Sequence, residues 1–313
     1  MDTQVTQKNN ASLVSGANEK TDVFQSTSIV YGVWRFLAEP VSGNRNMIRR
    51  LVDLCLDLQI DTFDHADIYG GYQCEALFGE VCHGIPRDHY KIVTKCGIKL
   101  LHPHRPQHKI KSYDTSAAHI AQSVEQSLRN LRTDFLDCLL IHRPDPLMDA
   151  SEVAEQFEAL YRAGKVRSFG VSNFTPQQFN LLQSYVRVPL VTNQVQCSLL
   201  YHQPLTDGTF DHAQEHRYRP MIWSPLGGGK IFTSQTTVAE NLLKLLKSLG
   251  SGHGCSPEAL CLAWLIKHPS RPIPVLGTMN AERLRSLAQA PQVSLSREEW
   301  FMLYEAALGQ SVP

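Results

Sequence analysis

The sequence has no excess of charge of either sign, since its 30 basic residues balance 30 acidic ones over 313 residues. A chain without a strongly basic composition gives no indication of a nucleic-acid or membrane-surface partner. It also lacks an apolar run long enough to cross a membrane, and the polar segment 1–20 has no hydrophobic stretch typical of secretory signals. We therefore expect a cytoplasmic protein that binds neither nucleic acid nor membranes.

Paired cysteines are also missing. None of the eight cysteines belongs to a CxxC pair, and several lie inside apolar runs, as Cys55 does. Such placement indicates small buried side chains in a reducing compartment rather than a disulfide framework. His102, His104 and His108 fall in a polar loop whose spacing matches no metal-ligand set, so we predict no metal site.

What the sequence does contain is a regular alternation of short β-branched runs and helical patterns. Residues 1–25 are polar and are expected to form a loosely ordered tail, whereas no linker divides residues 26–313, which we interpret as one domain. Most of the β-branched runs are continuously apolar, as in parallel strands that helices cover on both faces. The eight candidate strands are Ile29–Val33, Thr62–Phe63, Ile92–Thr94, Leu139–Ile141, Ser168–Val171, Val191–Gln194, Met221–Trp223 and Ile273–Leu276.

Helices are predicted between the strands, because apolar residues recur there at three- and four-residue intervals. These stripes run from Ile48 to Cys55, from Ile120 to Leu131, from Val153 to Tyr161 with an end near Gly164, and from Leu242 to Leu249, before Gly250. Eight such βα units can close into a barrel or form an open doubly wound sheet. No GxGxxG follows the first strand, which weakens the open-sheet dehydrogenase as an alternative and favours an α/β fold of the (β/α)8 TIM barrel type.

Polar side chains with complementary chemistry follow three neighbouring candidate strands. Asp64, Lys95 and His142 stand at the ends of the second, third and fourth strands, and Tyr69 lies in the loop after Asp64. The carboxyl ends of all barrel strands meet at one mouth, which brings these groups together. A lysine ammonium beside a phenol lowers the pKa of the phenol, a carboxylate keeps the lysine charged, and an imidazole donates to a carbonyl oxygen. The set is therefore suited to proton transfer at a carbonyl group.

Four segments of the sequence closely resemble the aldo-keto reductase superfamily, namely Phe63–Tyr69, Val93–Lys95, Leu140–Pro146 and Gly170–Phe174. The resemblance extends from about Ile29 to the C-terminus. It implies an oxidoreductase that reduces aldehyde or ketone carbonyls to alcohols with NADP(H), with Tyr69 as general acid or base. It further implies that Lys95 and Asp64 lower the pKa of Tyr69 and that His142 orients the carbonyl.

The same resemblance implies a dinucleotide site and a substrate pocket. Ser172, Asn173 and Gln194 match residues that bind the nicotinamide carboxamide, and Trp223 matches an aromatic residue that stacks on the nicotinamide ring. The remaining implied cofactor contacts are Gly32 and Asp64 near the nicotinamide end, Ser224, Pro225, Leu226 and Gly227 around the pyrophosphate, and Gly277, Thr278, Met279 and Arg283 around the adenosine 2′-phosphate. The implied substrate contacts are Trp34 and His142, with specificity expected from the segments Phe36–Gly43, Pro144–Asp149, Gly228–Val238 and Glu305–Pro313.

Some alternatives stay open on the sequence alone. A protein with this site could instead be a regulatory subunit that senses NADPH and turns over slowly, as some members of the superfamily are. Arg283 could lie on a solvated helix face, because Arg285 stands close by on the same segment. The sequence shows no apolar surface stripe, so we expect a monomer or a weak oligomer that acts on a small-molecule carbonyl substrate.

Overall fold

Eight parallel strands close into a barrel in the computed structural model, which describes residues 23–313. Each strand pairs with its neighbours in chain order, and the first strand closes the barrel by pairing with the last. The barrel strands are Val30–Gly32, Thr62–Asp64, Lys91–Cys96, Cys138–Ile141, Phe169–Ser172, Leu190–Gln196, Met221–Trp223 and Ile273–Leu276. The predicted (β/α)8 barrel is therefore confirmed, and each candidate strand coincides with a barrel strand to within two residues at either end.

Helices follow the strands and pack around the barrel. The α-helices are Arg45–Asp57, Cys74–Val81, Ala117–Leu131, Ala150–Arg162, Pro176–Tyr185, Thr209–Glu215, Lys230–Thr233, Thr237–His253, Pro257–Ile266, Ala281–Leu287 and Arg297–Leu308. The segment Tyr69–Tyr72 forms a turn with a left-handed backbone at Gly70 and Gly71. Short 3-10 helices lie at Val33–Arg35, Arg87–His89, Gln203–Leu205, Gly227–Gly229 and Ala290–Gln292, and a two-stranded antiparallel hairpin pairs Ile98–Lys99 with Ser112–Tyr113. Among residues 23–313, no helix combines the length and the apolar character that crossing a membrane requires.

Most residues of the predicted helical stripes face the barrel, whereas Tyr161 is exposed. Ile48 and Cys55 are buried against the strands, as are Ile120 and Val124 on the helix Ala117–Leu131. The helix Thr237–His253 continues past Gly250 and is capped by Gly254, which has a left-handed backbone. Gly250 suits the helix interior there, because the chain returns so closely that a Cβ atom would lie 2.8 Å from the carbonyl oxygen of Cys255.

The interior of the barrel is apolar towards the amino-terminal ends of the strands. Val30, Met221 and Ile273 pack there with Phe24, whose side chain is fully buried. Arg219 holds this end in place, since its guanidinium donates to the carbonyl oxygens of Phe24 and Thr27, both at 2.7 Å. Residues 23–25 of the predicted tail therefore belong to the folded barrel, while residues 1–22 of that prediction lie outside the described part of the chain. The apolar packing leaves the opposite end of the barrel to polar side chains.

We predict that Gly79→Ala destabilises the fold. Gly79 lies in the helix Cys74–Val81, where an added Cβ atom would collide with the carbonyl oxygen of Asn130 and lie 2.9 Å from the carbonyl carbon of Leu131 on the next helix. Such overpacking costs about 1–3 kcal/mol of unfolding free energy. Urea denaturation checks the change.

The matched control is Gly252→Ala. Gly252 also lies in a helix, Thr237–His253, but a Cβ atom added there would have no other atom within 4 Å. Alanine there should stabilise the protein by roughly 0.5–1 kcal/mol, because glycine has the poorer helix propensity. If both substitutions changed the unfolding free energy by the same amount and in the same direction, the close helix contact at Gly79 would be contradicted.

Candidate active site

A cavity of about 540 Å³ opens at the carboxyl ends of the barrel strands. This cavity is lined by most of the residues that the sequence predicted to act in catalysis or to bind the cofactor or the substrate. They are Gly32, Trp34, Asp64, Tyr69, His142, Ser172, Asn173, Gln194, Trp223, Ser224, Pro225, Leu226, Gly277, Thr278 and Arg283. Lys95, Gly227 and Met279 are not on its wall. Lys95 lies fully buried beneath Tyr69, Gly227 lies in the turn after Leu226, and the Met279 sulfur accepts a hydrogen bond from Tyr31.

The register of the strands brings the charged groups together. Gly32 pairs with Asp64 across the first two strands, and Lys95 pairs with Leu140 across the next two. The ammonium nitrogen of Lys95 donates to both carboxylate oxygens of Asp64, at 2.7 and 2.8 Å, and to the backbone carbonyl oxygen of His65 at 2.7 Å. It also contacts the hydroxyl oxygen of Tyr69 at 3.1 Å. The amine, the acid and the phenol thus form one buried cluster.

A left-handed turn presents Tyr69 to the cavity. Gly70, Gly71 and Tyr72 all have positive φ angles, of 57°, 62° and 70°. Glycine adopts this backbone without steric cost because it has no Cβ atom, whereas residues with a side chain disfavour it. The turn is also crowded, because a Cβ atom on Gly70 would lie 2.6 Å from both the sulfur of Cys74 and the Cδ1 atom of Leu37. The positive φ angles and the lack of space for a Cβ atom therefore explain why glycine follows Tyr69.

The electrostatics of the cluster differ in part from the expectation. Burial acts to lower the pKa of Lys95, but Asp64 and Tyr69 together outweigh it, so the pKa lies above its ordinary value. Burial raises the pKa of Tyr69 above its ordinary value. Lys95 lowers the pKa of Tyr69, in the expected direction, whereas Asp64 adds to the rise. Tyr69 is therefore a neutral phenol at neutral pH and can donate a proton.

His142 stands on the other side of the Tyr69 ring. Their ring centroids lie 5.9 Å apart in an edge-to-face arrangement. Burial lowers the pKa of His142 well below its ordinary value, and the positive charges of Lys95 and Arg143 act in the same direction. Its Nδ1 atom is buried and has no hydrogen-bond partner among the described residues. The imidazole is therefore neutral at neutral pH, and a neutral imidazole can donate one hydrogen bond to an oxygen in the cavity.

A continuous set of hydrogen bonds fixes the polar side chains next to this cluster. The Trp223 indole donates to the Asn173 side-chain oxygen at 3.0 Å, and the Asn173 amide donates to the Ser172 hydroxyl at 2.8 Å. The Ser172 hydroxyl donates to the carbonyl oxygen of Gln194 at 2.9 Å. The Gln194 amide then donates to Asp64 at 2.8 Å. The amides and the indole are thus already oriented around the mouth, on side chains that belong to four different strands or their ends.

The far end of the cavity has the features of a phosphate site. Gly227, Gly228 and Gly229 have left-handed backbones, and no atom lies within 4 Å of a Cβ position on Gly228 or Gly229. Arg283 lines the cavity, and its guanidinium makes no ion pair or hydrogen bond with any residue of 23–313. Arg285 instead pairs with Glu282 at 3.9 Å and does not line the cavity. An open glycine turn and an unpaired guanidinium fit the phosphates of a dinucleotide.

Several residues of the cavity wall were not predicted. They are Arg35, Arg143, Glu258, Val275, Leu276 and Leu287. Arg35 and Arg143 directly follow the predicted Trp34 and His142, and that adjacency was the available signal. Glu258 and Leu287 come from helices, where the sequence pattern indicates only packing.

The predicted specificity segments contribute unequally to the wall. Gly228, Gly229, Phe232 and Thr233 of the segment 228–238 line the cavity, but no residue of 36–43, 144–149 or 305–313 does. The first of these segments folds back on itself, with the amide of Gly43 bonded to the carbonyl of Phe36 at 2.8 Å. In the last one, the amide of Val312 is bonded to the side chain of Glu305 at 3.0 Å. Local hydrogen bonds therefore hold these two segments away from the mouth.

Comparison with known proteins agrees with this geometry. The sequence model of the Aldo/keto reductase family matches residues 28–307. The chain is 46% identical to the oxidoreductase YdhF of Escherichia coli over 288 residues, which cover 91% of this chain and 94% of that protein. It is 44% identical to a 6-dehydroglucose reductase of Agrobacterium fabrum over 294 residues, or 93% of this chain and 98% of the reductase. It also superposes on an aldo/keto reductase from Klebsiella pneumoniae in complex with NADP and acetate, with a TM-score of 0.72, 25% identity and coverage of 88% and 89% of the two chains.

We predict that Asp64→Asn strongly destabilises the protein. The substitution removes the counter-charge of an ammonium group that is fully buried. Breaking a buried ion pair by removing one partner costs about 3–5 kcal/mol of unfolding free energy. Chemical denaturation with paired circular dichroism and fluorescence measurements gives the value.

Glu80→Gln provides the control for an ion pair. Its carboxylate pairs with the exposed Arg45 at 2.7 Å. Loss of that exposed pair should change the unfolding free energy by no more than about 1 kcal/mol. A small loss for Asp64→Asn, similar to that for Glu80→Gln, would show that the pair of Asp64 and Lys95 does not hold the mouth together.

Proposed function

The chain belongs to the aldo/keto reductase family, and from this membership and the geometry of its barrel mouth we propose that it reduces aldehyde or ketone carbonyls to alcohols with NADP(H). The observation that carries the proposal is the contact of the buried Lys95 with both Asp64 and Tyr69, at the floor of a cavity large enough for a substrate and part of a cofactor. Acetate and NADP in the Klebsiella relative are consistent with such a site.

Residues in and next to the cavity offer contacts for the nicotinamide, the pyrophosphate and the 2′-phosphate of a dinucleotide. The Trp223 ring offers a stacking face for the nicotinamide, and Ser172, Asn173 and Gln194 offer amide and hydroxyl groups for its carboxamide. The open turn at Gly227–Gly229 would hold the pyrophosphate, and Arg283 the adenosine 2′-phosphate. When bound there, NADPH supplies the hydride that reduces the carbonyl carbon.

The protein side chains carry the proton and hold the carbonyl in place. Tyr69 is the general acid: its hydroxyl group gives its proton to the oxygen of the reduced carbonyl. Lys95 donates to the same hydroxyl oxygen, which stabilises the phenolate left behind, and Asp64 keeps Lys95 charged. The neutral imidazole of His142 donates to the substrate oxygen and stabilises the negative charge that develops there.

A sugar-like aldehyde is the substrate class that we favour. Two relatives with known activity, at 44% and 35% identity, are 6-dehydroglucose reductases. Trp34, which is 61% exposed on the cavity wall, offers an aromatic face of the kind that packs against sugar rings. We further propose that the protein acts in the cytoplasm as a monomer or weak oligomer. Its eight free cysteines, seven of them buried, support the reducing compartment.

We predict that Tyr69→Phe abolishes most carbonyl reduction while cofactor binding is retained. Removal of a positioned general acid lowers kcat by roughly 10²- to 10⁴-fold. Steady-state reduction of an aldehyde panel, followed by NADPH absorbance, measures the rate, and quenching of tryptophan fluorescence measures NADPH affinity. Tyr161→Phe, on the exposed face of the helix Ala150–Arg162, is the control and should retain full activity.

The same experiment separates the enzyme from a regulatory protein. Undiminished turnover in Tyr69→Phe would exclude Tyr69 as the acid. A wild-type protein that binds NADPH but reduces no aldehyde would exclude the reductase and favour a cofactor sensor.

We predict that Arg283→Met weakens binding of NADPH selectively. The two cofactors differ by the 2′-phosphate that we assign to Arg283, so the dissociation constant should rise by about 10- to 100-fold for NADPH and change little for NADH. Arg285→Met removes an arginine of the same short helix that faces Glu282 instead of the cavity, and it should leave both constants unchanged. An equal effect of Arg283→Met on the two cofactors would contradict the assignment.

A further inference from the structure

Arg143 is a charged residue of the cavity that no step of the proposed reaction uses. It follows His142 directly after the fourth barrel strand, is half-buried, and lines the same cavity as Tyr69. Its guanidinium carbon lies 5.8 Å from the centroid of the Trp223 ring. The side chain therefore reaches inward across the mouth rather than out into solvent.

The guanidinium of Arg143 has no acidic partner among the described residues. Other arginines of comparable burial are fully engaged: Arg87, for example, donates to Asp137 at 2.6 Å and to the carbonyl of Tyr90 at 2.6 Å. Within residues 23–313, the Arg143 side chain makes neither an ion pair nor a hydrogen bond, although a guanidinium carries five N–H donors. Leaving such donors unpaired in a half-buried site is unfavourable unless a ligand supplies acceptors.

Arg35 is a second arginine of the cavity wall, but it is less well placed to bind a ligand at the reacting end. It also lines the cavity, but it is exposed and one of its nitrogens donates to the carbonyl oxygen of Gly277 at 3.4 Å, at the end of the last strand. Arg143 instead directly follows His142 in the sequence and lines the cavity together with His142 and Tyr69. An oxygen that binds Arg143 would lie beside the carbonyl that binds His142.

We propose that Arg143 is a substrate-binding residue that selects aldehydes with acceptor oxygens, either hydroxyl or carboxylate, on the carbons near the reacting carbonyl. This inference rests on the proposed carbonyl reduction and names its substrate class. The guanidinium donates hydrogen bonds to those oxygens while His142 donates to the carbonyl oxygen, so an oxygen-rich aldehyde is held at two points. An alkyl aldehyde of the same length is held at only one.

Matched substrate pairs test the proposal. D-Glyceraldehyde is compared with propanal, which lacks its hydroxyl groups, and succinic semialdehyde with butanal, which lacks its carboxylate. Arg143→Met should lower kcat/KM for at least one oxygen-bearing aldehyde by about 10- to 100-fold and leave both alkyl aldehydes nearly unchanged. A loss confined to glyceraldehyde identifies a hydroxyl ligand, and one confined to succinic semialdehyde identifies a carboxylate. Arg143→Lys should retain part of the preference, because it keeps the charge but not the two-pronged donor.

Arg297→Met is the control, because Arg297 also lies over an aromatic ring, at 5.4 Å from the centroid of Phe301, but does not line the cavity. It should leave all four kcat/KM values unchanged. Equal losses for all four substrates in Arg143→Met, or a weaker affinity for NADPH with unchanged substrate ratios, would overturn the proposal. Either result leaves the reductase itself intact, whereas a wild-type protein inactive on all four aldehydes would count against the proposed function.

Discussion

The buried ion pair of Lys95 and Asp64 is the interaction on which the rest of the mouth depends. Taking two charges out of water is costly, and the cost is offset only where geometry and further hydrogen bonds are close to ideal. Here the ammonium contacts both carboxylate oxygens and the backbone of His65. Tyr69 is bound to one partner of the pair and Gln194 to the other. The proton-donating half of the site and the amide-lined half are therefore fixed by the same two charges.

The barrel makes this pair possible by dividing its interior into two parts. Apolar side chains, with Phe24 beneath them, fill the amino-terminal end and exclude water. The polar groups are left at the carboxyl end, where the parallel strands deliver them from neighbouring units. Because packing on one side is dry and rigid, Lys95 has few alternative positions, and the Tyr69 hydroxyl beside it is held within hydrogen-bond reach.

Sequence patterns predicted the barrel and most of its mouth for identifiable reasons. Short apolar runs and helical stripes depend on local periodicity, and Asp64, Lys95 and His142 stand directly at strand ends, so their convergence follows from topology. The patterns say less where a long-range contact decides the outcome. How far the helix continues past Gly250 depends on how the chain returns at Cys255, and the net shift in the pKa of Tyr69 depends on how deeply neighbouring elements bury it. Arg143 was passed over because the absence of a partner cannot be read from a sequence.

The closure at the base of the barrel has a consequence for how the chain assembles. Arg219 bonds to the carbonyl oxygen of Phe24 across a sequence separation of 195 residues, and the first strand pairs with residues 275 and 276. During synthesis, the earliest residues of the barrel must wait until almost the whole chain has left the ribosome before they find their partners. Contacts of such separation are slow to form and entropically costly. Until then the apolar interior stays open at its base.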